Sequence, residues 1–288
     1  MAFTSANFPA ELVKEVFIGA KGKSSIAKLS GQTPIAFSGT DVMAFSLDGE
    51  VNLVAEGAAK GAHEGSKAVI NIVPLKVEYG QRVTDEFLRA SEEKQLEYVK
   101  AFSDGFAGKI ARGLDIMAMH GTNPKTGTAS ALIGTNSFDT NTDVTDVSYD
   151  ATDIEGNIAS GIAGIGDYDM TGLIASKTFA AELATLKVNG VPQYPQLAWG
   201  GNPDSINGVP FDANSTVSKV AGEHAYGGDF ANAFKWGYAD TINFEVIEYG
   251  DPDNTGSDLK GHNQVYLRAE AWIGFAILDG SAFFRIET

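Results

Sequence analysis

The apolar positions change pattern several times along the chain. Residues 1–47 show no sustained period and carry many small side chains, with Gly22, Gly31 and Gly39 between short apolar groups, the pattern of an extended arm. Two strand-like runs follow, 51–55 and 68–79, on either side of a Gly/Ala-rich tip at 57–65, and together they predict a long hairpin over 49–79. In the second run Val69, Asn71, Val73, Leu75 and Val77 alternate onto one face. Pro74 cannot donate to a ladder and confines the run to a sheet edge or irregular pairing. A two-stranded ribbon with so small-residued a tip is marginal alone, so either a neighbouring subunit or the rest of the chain must support it.

At Thr84 the period switches to that of a helix, with Asp85 and Glu86 in the first turn. Leu88, Val99, Phe102, Phe106, Ile110, Leu114 and Met117 recur at three- and four-residue steps, a stripe that reads as core. The pattern predicts about 30 residues of helix, roughly 45 Å, with bending or close packing at Gly105, Gly108 and Gly113. Further on, Asp153 precedes Ile154, Ile158, Ile162 and Ile165, a second helix ended by Gly166. A short strand at 173–175 leads to a helix capped by Ser176 with Phe179, Leu183 and Leu186 on one face, stopped at Asn189-Gly190. After a Pro/Gly-rich loop over 190–210, the runs 230–247 and 264–278 are β. In the last run Val265, Leu267, Ala269, Ala271, Ile273 and Phe275 share one face, expected to pack on Phe102, Phe106 and Ile110, while Arg268 and Glu270 point the other way. The class is α+β, mixed.

Charge narrows the partners. Residues 1–115 hold 13 basic and 15 acidic side chains against 8 and 22 in the remainder, for a net charge of -16. Tight, sequence-specific nucleic-acid binding is disfavoured, because counterion displacement needs basic clusters. The absence of cysteine excludes disulfides, thiolate metal sites and cysteine nucleophiles. The N-terminus lacks a basic secretory n-region, and no apolar run approaches the roughly 18 residues of a membrane span, so a soluble protein made in the cytosol is expected.

Chemistry-bearing motifs are weak. The glycine spacing of Gly161-Ile162-Ala163-Gly164-Ile165-Gly166 is reversed from a dinucleotide fingerprint, and residues 121–127 lack the Gly-Lys-Ser/Thr ending of a phosphate loop. His63, His120, His224 and His262 lie in separate segments without ligand spacing. Asp251-Pro252-Asp253-Asn254-Thr255-Gly256 begins like a calcium loop, but its twelfth position is His262 rather than Glu, so an acidic turn is expected. No serine occupies a Gly-x-Ser-x-Gly elbow. No enzyme, cofactor or metal is expected.

The order of several segments resembles the major capsid proteins of tailed bacteriophages, the Hong Kong 97-type fold, over nearly the whole chain. They are Val54-Ala55-Glu56-Gly57-Ala58, Val73-Pro74-Leu75-Lys76-Val77, Val83-Thr84-Asp85-Glu86-Phe87-Leu88 and the long helix, then Leu183-Ala184-Thr185-Leu186-Lys187 with Gly190-Val191-Pro192. Ile206-Asn207-Gly208-Val209-Pro210, Gly227-Gly228-Asp229-Phe230 and Val265-Tyr266-Leu267-Arg268 running into 277–283 complete the series.

The resemblance implies an N-terminal arm at 1–47, an extended loop (β-hairpin) at 48–79, a peripheral domain with its spine helix at 80–115 and 240–288, and an axial domain at 116–239. It implies a virion shell protein that assembles with itself into pentamers and hexamers around non-specifically packaged double-stranded DNA. Assembly would take place in the host bacterial cytoplasm, with a portal and, since no long charged helix precedes the arm, a separate scaffolding protein. Expected intersubunit residues are Val54, Glu56, Gly57, Lys60, Pro74, Arg268 and Glu270. Lys60 and Lys67 sit in the loop that some relatives crosslink, but nothing matches the acceptor asparagine, so no crosslink is expected. An encapsulin-type bacterial nanocompartment shell is the alternative, which an N-terminal helix would favour over an extended arm; a soluble enzyme comes third.

Overall fold

The computed structural model describes residues 15–16, 18–20, 23–47, 53–54, 56–57 and 65–288. Its first element is a short helix, α1 (Ser25–Leu29), whose N-cap Ser24 accepts a hydrogen bond from Ala27 N. Residues 15, 16 and 18–20 are helical too, and Val16, Ala20, Ile26 and Ala27 are buried in the main core. The extended arm expected here is therefore corrected: its described part is partly helical and packs on its own chain. Beyond α1, Thr33 N donates to Trp236 O at 2.8 Å and Gln32 forms a parallel bridge with Trp236. Gly237 permits this approach, since a Cβ there would lie 1.8 Å from Thr33 O.

The ribbon also differs from expectation. Its strands are β1 (Thr40–Leu47) and β2 (Gly65–Ile72), antiparallel in register from Thr40↔Ile72 to Leu47↔Gly65. The hairpin thus starts in the segment assigned to the arm. Leu53 and Val54 carry no strand, and the rest of 51–55 lies outside the described residues. The run over 68–79 is two strands: Val73 and Pro74 are unpaired, and β3 (Leu75–Thr84) enters a different sheet. Because Pro74 breaks the ladder, the single shared face is lost. Before the break Val69 and Val73 face out while Ile72 is buried; after it Leu75 and Val77 pack against the core.

Thr84 ends β3 instead of opening the helix. A single turn, α2 (Glu86–Arg89), comes first, and the long helix α3 (Glu92–His120) follows. The break is stabilised by Gln95, whose Nε2 donates to Leu88 O and Ala90 O, both at 3.0 Å, satisfying carbonyls a continuous helix would have bonded internally. Helix α3 continues unbroken through its three glycines for 29 residues, about 44 Å. It stops at left-handed Gly121, whose N–H bonds Met117 O.

After β4 (Thr145–Ser148) come α4 (Ile154–Gly164), capped by Asp153 as expected, β5 (Gly172–Ala175) and α5 (Lys177–Thr185), capped by Ser176. Of the expected stripe on α4, Ile154 and Ile165 are buried, but Ile162 is exposed. Short strands β6 (Lys187–Val188), β7 (Val191–Pro192) and β8 (Ser205–Ile206) precede β9 (Val209–Ala213) and β10 (Glu223–Gly228). The chain closes with β11 (Phe234–Tyr238), β12 (Asn243–Ile247), β13 (Gln264–Ile277) and β14 (Phe283–Glu287).

Two larger sheets organise these strands. In one, β13 pairs along its length with β3, and on its other edge with β12 and then β11. Its buried residues from Val265 to Phe275 alternate as expected and pack on α3, where Phe102 and Phe106 meet Phe244 edge-on at 6.3 and 6.0 Å. The other sheet has the order β4-β14-β10-β5-β9-β8. Strand β14, expected with 240–288, thus belongs with the 116–239 region. The reason is shape: the Phe284 ring fills the space that Cβ atoms at Gly161 and Gly227 would enter, each 2.3 Å from it. Gly161 serves helix–sheet packing in the segment whose glycine spacing is reversed from a dinucleotide fingerprint. Phe138 seals the junction of the two lobes among Phe230, Phe234 and Phe283, with ring centroids 5.0 to 5.7 Å away.

Candidate assembly surfaces

Backbone pairing decides which surfaces are left open. Strands β1 and β2 pair only with each other among the described residues, so the ribbon has two unpaired edges. One face closes over Ile35, Ile72 and Ala276; the other presents Met43, Val69 and Val73, each more than half exposed. At the tip Leu53 is 98% exposed and Val54 40%. Glu56 and Gly57 form an exposed turn, with Gly57 left-handed and no atom within 4 Å of a Cβ there. Lys60 lies outside the described residues. Pro74 sits at the opposite end, at the ribbon's base, beside a cleft of about 330 Å³ lined by Ile70, Val73, Leu75, Leu132, Asn136 and Phe275.

Arg268 and Glu270 occupy a second surface, the face of β13 turned away from α3. Arg268 Nη2 donates to Glu245 Oε2 on β12 at 2.6 Å, and its Nε lies 3.5 Å from Glu270 Oε1. Glu270 in turn meets Lys76 Nζ on β3 at 2.8 Å. The four side chains form a charge ladder across three strands of the same chain. The Glu245 carboxylate chiefly holds the Arg268 pKa above its ordinary value.

The acidic turn over 251–257 holds an internal cation. Arg82 reaches it from β3: its Nη2 is 2.7 Å from Asp251 Oδ1 and its Nε 2.8 Å from Asp253 Oδ2, with further bonds to Thr255 Oγ1 and Ser257 O. This guanidinium holds the Asp253 carboxyl well below the usual carboxylate range. What looked like the start of a calcium loop is closed on an arginine about 170 positions earlier in the chain. Only its acidic half was visible locally.

The histidines do not converge. His120 is buried at the end of α3, His224 stacks on Tyr149 at 3.7 Å, His262 is exposed, and His63 is outside the described residues. Among the described residues no three His, Asp or Glu side chains are placed to hold a metal. His120 instead makes a buried ion pair: Nδ1 is 2.6 Å from Asp139 Oδ2, and Nε2 is 2.8 Å from Thr216 O. Both oxygens are acceptors, so the doubly protonated ring is the form that satisfies both. Burial pulls its pKa down, but Asp139 and the Thr216 carbonyl outweigh that and raise it. Nearby, burial first and then Asp139 and Glu287 push Glu223 up to about 7.

Sequence reasoning missed Asp115, which is wholly buried in α3. It accepts from Ser24 Oγ at 2.6 Å, Ser25 N at 3.1 Å, Ile26 N at 3.2 Å and Asn214 Nδ2 at 2.8 Å. Burial pushes its carboxyl up to about 6 despite these donors. The available signal was a lone acid between Leu114 and Ile116 on an otherwise apolar face.

Among the described residues no helix is long and apolar enough to cross a membrane. No curated protein matches the chain. Solved structures do. A chain from Mycobacterium phage Ogopogo is 28% identical, with a TM-score of 0.75 and 92% of each chain covered. One from Gordonia phage Cozz is 24% identical, with a TM-score of 0.72 over 92% of this chain and 86% of that one. The capsid of an empty GTA particle shares the fold at 14% identity, with a TM-score of 0.66 over 92% and 89%. The model of the phage capsid family matches residues 7–287, and the chain belongs to that family.

Proposed function

We propose that this chain is the major capsid protein of a tailed phage, assembling into the icosahedral head shell that encloses the double-stranded DNA genome. The observation that carries it is the family match over 7–287. The family is one of structural shell proteins, so the role is mechanical and the location is the virion. The ribbon's open edges and apolar outer face are the surfaces a second copy would complete. Val54, Glu56, Gly57, Lys60 and Pro74 belong to that contact, and Arg268 with Glu270 to a second one on the sheet face.

In terms of the shell, the lobe built on α3 and β13 is the peripheral domain. The six-stranded lobe, including β14, is the axial domain at capsomer centres in pentamers and hexamers. Packaged DNA is held weakly and without sequence preference, as a net charge of -16 demands. A separate scaffolding protein and a portal are the further partners, and assembly takes place in the host bacterial cytoplasm. The helical turns in the arm meet the criterion that favoured a nanocompartment, but the family match points to the phage shell.

The test is sedimentation and electron microscopy of the full chain purified from infected cells, where a scaffolding protein and portal are present, with assay of nuclease-protected DNA. Closed shells that protect DNA are expected. Monomers or small oligomers contradict the shell, and shells filled with an enzyme cargo instead of DNA contradict the phage.

A further inference from the structure

Helix α3 turns Arg112, Asp115, Met119 and His120 toward three consecutive residues that follow β9. Asn214 Nδ2 donates to Asp115 Oδ2 at 2.8 Å, and Arg112 Nη1 donates to Ser215 Oγ at 3.3 Å. Thr216 presents its carbonyl to His120 Nε2 at 2.8 Å and its hydroxyl to Met119 Sδ at 3.9 Å. Residues 214–216 therefore form a polar strap that ties the six-stranded lobe to the long helix. The strap's own turn hangs on Asn214, whose Oδ1 accepts Thr216 N at 3.0 Å.

The other three donors to Asp115 come from the arm: Ser24 Oγ, Ser25 N and Ile26 N. Asn214 Nδ2 also donates to Ser25 Oγ at 2.7 Å. One buried carboxylate thus receives both the arm and the strap. Taking the arm away would strip it of three of four donors and admit water to compete for Asn214. On the far side of the arm, Asp212 accepts from Ser25 Oγ at 2.5 Å and meets Lys28 Nζ at 3.2 Å, so the same short helix also grips β9 directly.

We propose that Asp115 is a positioning residue that couples the arm to the six-stranded lobe, so that docking of residues 24–26 locks the 214–216 strap onto α3. A neighbour that draws the arm off its own chain would then also loosen that lobe. This coupling is a property of the subunit and stands apart from the phage reading.

Amide hydrogen exchange on the full chain tests it. Ser24→Ala should speed exchange about tenfold, within the range of ordinary site–site coupling, at Asn214, Thr216 and Lys219 as well as at Ile26 and Ala27. Acceleration confined to residues 25–28 overturns the proposal. In an Asp115→Asn background the effect of Ser24→Ala on Thr216 should vanish, and an undiminished effect also overturns it. Asn214→Ala keeps the question answerable if the first variant folds poorly. Coupling is reciprocal, so exchange at Ala27 and Lys28 must rise, and unchanged rates there refute it.

Discussion

Replacing Phe106 by Ala removes a ring that is 1% exposed at the centre of the contact between α3 and the β13 sheet. The ring meets Phe244 edge-on at 6.0 Å and shares a core cluster with Ala269, Ala271 and Ile273. Helix and sheet frame the site from opposite sides, so it collapses little when emptied, and the cost should reach about 3 to 5 kcal/mol. At a few degrees per kcal/mol for a chain of this size, the melting temperature of dissociated subunits should fall by roughly 6 to 15 °C. Leu96→Ala, at an exposed position of the same helix, is the control and should move it by about a degree or less. A Phe106→Ala loss below about 1 kcal/mol, or equal losses for both variants, would refute the assignment of this core.

Arg268→Ala should lower subunit stability by under about 1 kcal/mol, because its partners Glu245 and Glu270 are partly solvated, yet reduce assembly yield; normal assembly means the residue serves only its own ladder. Arg82→Gln leaves Asp251 and Asp253 facing each other without their cation, and exchange across 250–258 should accelerate while the α3 core stays protected; an unchanged loop refutes the clamp. Asp115 and Glu223 have folded pKa values of about 6 and 7, above their ordinary 3.8 and 4.5. The folded state therefore holds more protons between those limits, and these two groups make stability fall as pH climbs from about 4 to about 7. His120, raised in the folded state, adds a loss in the same direction as pH rises through its folded pKa. Melting temperatures should accordingly be higher at pH 5 than at pH 8, with a shallower slope in Glu223→Gln; the opposite slope, or one unchanged by that variant, contradicts the burial of these groups.

Elements whose periodicity is imposed by one continuous buried face were legible: the α3 stripe, the alternation along β13, and the caps at Asp153 and Ser176. The ribbon was legible as an object but misplaced. Residues 40–47 lack a strict alternation of their own, and only pairing with 65–72 places a strand there. The arm looked extended because its small, aperiodic residues gain helical form only by docking at Asp115, about 90 positions away, while Gln32 and Thr33 stay extended and bridge to Trp236, about 200 positions away. Strand β14 was assigned to the wrong lobe for the same reason, since its place depends on the space over Gly161 and Gly227. Of the candidate contacts, only Gly57 in an exposed turn followed from composition; Val54, expected in a strand, belongs to none. Glu245, the cross-strand partner of Arg268, depended on the strand register and could not be read from one strand.

Whether another copy completes the β1–β2 ribbon is answered most directly by electron cryo-microscopy of purified particles. The density should show closed shells in which the ribbon's edge and its Met43 and Val69 face lie on a neighbouring subunit, with the tip at Leu53 and Val54 buried there. Shells in which the ribbon lies against its own chain with that face in solvent, or a preparation with no shells, would contradict it.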